Sequence, residues 1–142
     1  MSLSVEATKY IQSNGQLDLH CWCVSKTDGT VIDPDFEYDY VKRVRNIKKT
    51  SKTLYREFDT SLQIELVPYI IKNFVKNRIP GYSKYLNTND MGVFEYFSHN
   101  PTKGNCPINA YSYWVINKDE CLFKIGSMGW TTKDGNVWWE FG

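Results

Sequence analysis

Residues 17–33 constrain the fold more than any other part of the sequence, because they carry the pattern of a β-hairpin. Apolar and polar residues alternate along 17–24, as in a strand that buries one face. Asp28-Gly29 is a strong turn signal, and 30–33 supplies a returning strand that Pro34 ends. We therefore expect an antiparallel sheet that begins with this hairpin.

The alternation also sorts the side chains of the first strand by face. One face is predicted to carry Leu17, Leu19, Cys21 and Cys23, and the other Asp18, His20, Trp22 and Val24. With a two-residue turn, Asp33 falls opposite Val24, and directly paired residues point to one side of a sheet. His20 and Asp33 are thus predicted to share a face, on the order of 13 Å apart at ~3.3 Å per residue. A bulge or a longer loop would shorten that separation.

The rest of the chain adds helices and a second hairpin. Helices are predicted for residues 4–13, 59–79, 89–99 and 106–115, and Pro68 is expected to kink the second of these or to start a new helix. Strands at 121–125 and 137–141 form the second hairpin, with turns at Gly126, at Gly129 and at 133–136. The prediction is a single α+β domain (1–142) with an antiparallel sheet of hairpins (17–33 and 121–141) packed against three or four helices.

Composition restricts the classes of function. A 42% share of hydrophobic residues and a net charge of +1 exclude a disordered chain and a surface built wholly for nucleic acid or an anionic membrane. No run approaches the roughly 20 apolar residues of a membrane span, and Glu6 and Lys9 stand where a signal peptide would be apolar. We expect a cytoplasmic protein without membrane binding, and we interpret its 4 cysteines as free thiols.

Cys106 is the first candidate for chemistry, because it is predicted at the N-terminus of the 106–115 helix. Unpaired N–H groups and the positive end of the helix dipole favour a thiolate there, and the same N–H groups can hold an oxyanion. Gly104 would let the backbone approach a substrate closely. The competing interpretation is a structural thiol, since free cysteine is often a small buried hydrophobic residue.

A nucleophilic thiol needs a base, and the chain contains 2 histidines. His20 on the first strand is a candidate base, with Asp33 to orient its imidazole and Asp35 or Glu37 as substitutes. A strand histidine bonded to the backbone is the competing interpretation. His99 is the rival base, although a histidine near a helix C-terminus also has a structural explanation.

Two amide side chains complete the set of candidates. Asn100 precedes Cys106 by six residues and Asn105 stands beside it, so that either amide could donate to an oxyanion. Asparagine before proline is also ordinary turn chemistry.

These residues resemble, over 17–34 and 100–114, the papain-like thiol hydrolase and transglutaminase-like group. The order of histidine, acid and cysteine is similar to that of the adenovirus-type and ubiquitin-like-protein-deconjugating cysteine proteases. The resemblance implies a hydrolase or acyl transferase that acts on an amide, ester or thioester of a peptide or small molecule and needs no cofactor. It implies these roles: Cys106 as nucleophile, His20 as general base, Asp33 as its orienting group and Asn100 as oxyanion donor. Asn100 stands where that family has Gln, and Pro107 stands where it has Gly.

A binding module without catalysis, for a nucleic acid, a carbohydrate or a protein partner, is the alternative from another class. Basic residues that could contact phosphates of a nucleic acid are Lys42, Arg43, Arg45, Lys48, Lys49, Lys52 and Arg56. Aromatic residues that could stack on bases or sugars are Trp130, Trp138, Trp139 and Phe141. Such charge runs are usually solvated faces, and at least one of the tryptophans is expected in the core.

A metal site is not expected. His20, Cys21 and Cys23 lack the spacing of zinc knuckles, and the histidine points away from the two thiols on a strand.

Overall fold

The sheet forms around a strand pair that joins the two ends of the chain. The computed structural model describes residues 3–33, 46–81, 83–84, 92–100 and 106–140. The strands are β1 (His20–Ser25), β2 (Val31–Ile32), β3 (Leu54–Glu57), β4 (Cys121–Thr131) and β5 (Val137–Trp139). They form one antiparallel sheet in the order β2-β1-β4-β3, and β5 pairs with the end of β4. The long strand β4 therefore holds both predicted hairpins in one sheet.

Helices pack against this sheet, which confirms the predicted α+β domain. They are α1 (Val5–Thr8), α2 (Thr60–Ile70), α3 (Gly92–His99) and α4 (Cys106–Asn117). The first two are capped by side chains, since Ser4 Oγ accepts from the Ala7 N–H and the Asp59 carboxylate accepts from the Leu62 N–H. Helix α4 lies across β1 and β4, and α3 packs on α4. The predicted N-cap of α3, Asn89, lies outside the described residues.

Helix α2 continues beyond Pro68, which is exposed on its outer side. The chain then passes through a π-helical stretch, Ile71–Val75, and a last helical turn, Lys76–Arg78. The buried residues of the whole segment are Leu62, Leu66, Ile70, Val75 and Ile79. Ile70 and Val75 are five residues apart, one more than the spacing of four between Leu62, Leu66 and Ile70. The π turn absorbs this extra residue, so that the apolar stripe continues to face the core.

The register of the first hairpin differs from the prediction. Cys23 pairs with Ile32, and the Ser25 N–H donates to the Thr30 carbonyl at 2.9 Å. The loop between the strands is therefore longer than two residues. Continued by one residue, this register places Asp33 opposite Trp22 rather than opposite Val24. The expected separation from His20 is wrong for that reason, whereas the expectation of a shared face follows equally from the observed register.

Gly126 and Gly129 lie inside β4, and their predicted role in turns is wrong. A Cβ on Gly126 would lie 2.1 Å from the Arg56 carbonyl oxygen and 2.7 Å from the Trp22 ring. A Cβ on Gly129 would lie 2.5 Å from the Trp139 ring. Both glycines are explained by the close approach of neighbouring strands and rings rather than by turn geometry.

Both faces of the sheet are covered. On one face, Cys21 and Ile125 join a core with residues of α2, α3 and α4, such as Leu66 and Phe94. On the other face, a smaller core contains Ile47, Met128 and Trp130, with Tyr55 and Trp138 packed against it. Strand β3, which carries Tyr55, was not predicted, because four residues next to a basic run give a weak strand pattern.

No helix in the described part of the chain is long and apolar enough to cross a membrane.

The close packing at Gly126 predicts a large effect of adding one methyl group. We expect Gly126→Ala to lower the free energy of unfolding by about 1–3 kcal/mol, because the strand or the Trp22 ring must move. Leu122→Ala on the same strand, at a side chain that is 42% exposed, serves as control and should cost less than about 1 kcal/mol. Denaturant unfolding of both variants measures the difference, and an equal loss in the two would contradict this packing.

Candidate active site

His20 and Asp33 form a buried pair at the edge of the sheet, where β2 ends. His20 Nε2 lies 2.7 Å from Asp33 Oδ2, and the two side chains are only 5% and 6% exposed. His20 is the first residue of β1, and Asp33 directly follows β2. Because both side chains lie on one face, two residues apart along the strand direction, they reach each other without distortion of the hairpin.

Two aromatic residues surround this pair. The Tyr55 hydroxyl donates to Asp33 Oδ2 at 2.8 Å, the same oxygen that contacts His20. The Trp22 ring is stacked on His20, with 6.0 Å between centroids and 18° between planes, and contacts the Tyr55 ring at 5.0 Å. These neighbours hold the imidazole in one orientation and keep water away from it. No local sequence pattern marks Tyr55 for this role, because its approach to Asp33 depends on the pairing of β3 with β4.

Cys106 approaches the histidine from helix α4. It is the first residue of that helix, is partly exposed, and has its sulfur 4.0 Å from the Leu19 carbonyl oxygen. The side chains of His20 and Cys21 are its neighbours there, close enough for both to act on its pKa. Since Asp33 occupies Nε2, Nδ1 is the ring nitrogen left for the sulfur. His20 therefore lies between the carboxylate and the thiol.

The surroundings favour a charged pair of sulfur and imidazole. Hydrogen bonding from Cys21 outweighs burial and, together with the hydrogen bond and the positive charge of His20, lowers the pKa of Cys106 to about 5. Burial disfavours the imidazolium, but the hydrogen bonds to Asp33 and Cys106 and their charges raise the pKa of His20 to about 10. The N-terminus of α4 adds a positive potential at the sulfur. Between these two values the site holds a thiolate and an imidazolium.

The other thiols are unlike Cys106. Burial raises the pKa of Cys23 and of Cys121, and for Cys21 burial and the hydrogen bond with Cys106 act in the same direction. The four cysteines are free, which confirms their interpretation as thiols. Cys106 is thus the cysteine whose surroundings favour ionisation near neutral pH.

Other predicted site residues lie elsewhere or outside the described residues. The side-chain amide of Asn100 donates to the Tyr96 carbonyl at 2.9 Å, a contact at the end of α3, so its role as oxyanion donor remains a prediction. His99 is the last residue of α3 and is exposed. The structure does not describe Gly104, Asn105, Asp35 or Glu37.

The features proposed for a binding module are only partly described. Trp130 is completely buried in the smaller core, which corrects its assignment as an exposed aromatic residue. Trp138 stacks on it at 5.9 Å, and Trp139 lies under the Arg56 guanidinium at 4.3 Å. Lys48, Lys49, Lys52 and Arg56 are exposed, whereas Lys42, Arg43, Arg45 and Phe141 lie outside the described residues. Binding of nucleic acid remains a prediction.

Within the described ranges, no three side chains of His, Cys, Asp or Glu are grouped so that they could hold a metal ion.

Comparison with models of protein families, with curated proteins and with solved structures gave no match.

The charged pair predicts an unusual pH dependence of alkylation. Between about pH 8 and about pH 6, an ordinary thiol should lose about 100-fold in rate, whereas Cys106 should change less than about twofold because it stays ionised. His20→Ala removes the cation and should restore a steep dependence. His99→Ala serves as the matched control and should behave as wild type. The folded protein is treated with iodoacetamide for timed intervals and then digested, and mass spectrometry of the peptides gives the rates. A dependence of Cys106 in wild type as steep as that of an ordinary thiol would contradict the ion pair.

The hydroxyl of Tyr55 predicts a measurable contribution to stability. Tyr55→Phe keeps the ring but removes a donor to a buried carboxylate, and we expect a loss of about 1.5–3 kcal/mol in the free energy of unfolding. Tyr96→Phe, at a side chain that is 62% exposed, is the matched control and should stay within about 0.5 kcal/mol of wild type. Denaturant unfolding measures both, and equal stabilities would show that the hydrogen bond contributes nothing.

Proposed function

We propose that this protein is a cysteine-dependent hydrolase or acyl transferase that acts on an amide, ester or thioester. The observation that carries the proposal is the buried His20–Asp33 pair, at 2.7 Å, next to the partly exposed Cys106 whose pKa the histidine lowers. A nucleophile, a base and an orienting carboxylate in that order form the arrangement that activates a thiol for attack on an acyl carbon.

Each of the three groups has one chemical role in this reaction. The Cys106 thiolate attacks the acyl carbon, and a carbon–sulfur bond forms while the carbonyl oxygen becomes an oxyanion. When that oxyanion collapses, the bond to the leaving group breaks, and the His20 imidazolium gives its proton to the departing amine, alcohol or thiol. Neutral His20 then takes a proton from water or another acceptor, which attacks the thioester and releases Cys106 as thiolate. Asp33 keeps the imidazole oriented and stabilises its charged form throughout.

The first turn of α4 is the source of the oxyanion donors in this proposal. Pro107 has no N–H, so the backbone donors of that turn come from its neighbours, Cys106 and Ile108. This is the physical meaning of a proline where the ubiquitin-like-protein-deconjugating proteases have a glycine. The order of histidine, acid and cysteine is the part of the resemblance that supports the proposal. The departure at Pro107 concerns the oxyanion site alone.

The proposal predicts a covalent acyl intermediate on Cys106. With a p-nitrophenyl ester as probe, we expect a burst of nitrophenol and an acyl group on the peptide that contains Cys106, both absent in Cys106→Ala. His20→Ala should lower the turnover number about 10²–10⁴-fold, the usual contribution of a general acid and base. Cys121→Ala and His99→Ala are the matched controls and should keep the activity of wild type.

The pH profile of the same reaction follows from the two shifted groups. Activity should fall as the pH drops through the Cys106 pKa of about 5, because the thiolate is protonated. With a p-nitroanilide in place of the ester, so that the departing amine needs a proton, the rate of acylation should fall again as the pH rises through the His20 pKa of about 10, because neutral imidazole has no proton to give. Ester turnover without acylation of Cys106, or an equal effect of the two histidine variants, would overturn the proposed function.

A further inference from the structure

A second thiol lies beside the reactive one. Cys21 is completely buried on β1, in the core against which Cys106 packs at the start of α4, and its side chain lowers the pKa of Cys106. The acyl-transfer mechanism gives Cys21 no part in bond making or breaking. The backbone of residue 21 could act on the Cys106 sulfur whatever side chain stood there. The thiol of Cys21 therefore needs an explanation of its own.

We propose that Cys106 and Cys21 form a reversible disulfide when a peroxide reacts with Cys106. The Cys106 sulfur lies 4.0 Å from the carbonyl oxygen of Leu19, two residues before Cys21, and Cys106 packs on the core that contains Cys21, so a short approach of the two sulfurs would form the S–S bond of about 2 Å. The elements that carry them, β1 and α4, pack directly on each other. Cys106 is partly exposed and can meet the oxidant, whereas the buried Cys21 needs to reach only Cys106.

Two steps account for all atoms and electrons. The Cys106 thiolate attacks the terminal oxygen of the peroxide, so that an S–O bond forms, the O–O bond breaks and the sulfur loses two electrons to give a sulfenic acid. The departing alkoxide or hydroxide takes a proton from the His20 imidazolium and leaves as alcohol or water. Cys21 then attacks the sulfenic sulfur, the S–S bond replaces the S–O bond, and the Cys21 proton leaves with the hydroxyl group as water.

The same chain contains a natural comparison pair. Cys23 and Cys121 lie on the paired strands β1 and β4, act on each other's pKa, and are both buried. Neither has an imidazolium partner or the first position of a helix, so neither is expected to start the reaction with peroxide. Proximity of two thiols is thus common to both pairs, and only one pair has an activated sulfur.

The disulfide would have a direct consequence for the site. In the disulfide, Cys106 has no thiolate that could attack an acyl carbon. A dithiol reductant would break the S–S bond and restore the thiolate. Reaction with Cys21 would also compete with oxidation of Cys106 to the irreversible sulfinic and sulfonic acids. The inference shares with the proposed function only the ionised Cys106 thiol and needs no acyl substrate.

Peptide mapping of the full chain tests the proposal. The protein is treated with a small molar excess of hydrogen peroxide near neutral pH, its remaining thiols are blocked with iodoacetamide, and it is digested with trypsin without reductant. Trypsin places Cys106 in residues 104–118 and Cys121 in 119–124, whereas Cys21 and Cys23 share residues 10–26. Cys23→Ser therefore shows which of the two thiols on that peptide is linked.

We expect 10–26 to be linked to 104–118 in wild type and in Cys23→Ser, and dithiothreitol should reverse the link. In Cys21→Ser, or in Cys21→Ala if the serine variant does not fold by circular dichroism, Cys106 should accumulate as sulfinic or sulfonic acid instead. Cys121→Ala is the matched control and should behave as wild type.

Three results would overturn the proposal. They are an unlinked Cys106 that becomes sulfinic acid in wild type, a link from 10–26 to 119–124 alone, and a Cys106 disulfide between two chains on a non-reducing gel. Failure here is distinguishable from failure of the proposed function. Cys106 acylation without the link would leave the acyl-transfer proposal intact, and the link without Cys106 acylation would leave the redox proposal intact.

Discussion

Antiparallel pairing of β1 with β4 is the interaction on which the arrangement of the site depends. It places His20 opposite Gly126, the central position where β3 also pairs with β4 through Glu57. Because Gly126 has no side chain, the Trp22 ring can lie over it and stack on the imidazole. Any side chain at that position would push either the ring or the backbone of β3 away, and both define where His20 points.

Burial and charge act together at this edge of the sheet. An imidazolium that is almost completely removed from water is costly unless opposite charges compensate it. Here Asp33 and the Cys106 thiolate stand on the two sides of His20, and the Tyr55 hydroxyl satisfies the carboxylate further. The positive end of the α4 dipole stabilises the negative charge of the Cys106 sulfur. Ionisation of Cys106 is therefore a property of four elements together, namely β1, β2, β3 and α4.

The thiolate also connects the two proposals. A sulfur that is ionised near neutral pH can attack an acyl carbon or a peroxide oxygen, and the difference lies in the neighbour that takes the next step. For acyl transfer that neighbour is His20, which supplies and removes protons. For the proposed oxidation it is Cys21, which lies in the core against which Cys106 packs. His20 and Cys21 are the first two residues of β1, and the Cys106 sulfur lies beside the carbonyl of the preceding Leu19, so the start of this strand presents both neighbours to the sulfur.

The sequence by itself determined the local features: the first hairpin, the shared face of His20 and Asp33 and the helix that opens at Cys106. Each depends on a repeat of two or 3.6 residues or on a capping position, which operate over a few neighbours. Only the tertiary structure decided the distance from His20 to Asp33, because that distance depends on loop length, and the contacts of Tyr55 and Cys21, because they depend on strand order and helix docking. Strand β4 illustrates the limit. Its glycines look like turn residues in the sequence, and only the rings and carbonyls of neighbouring strands explain their place inside a strand.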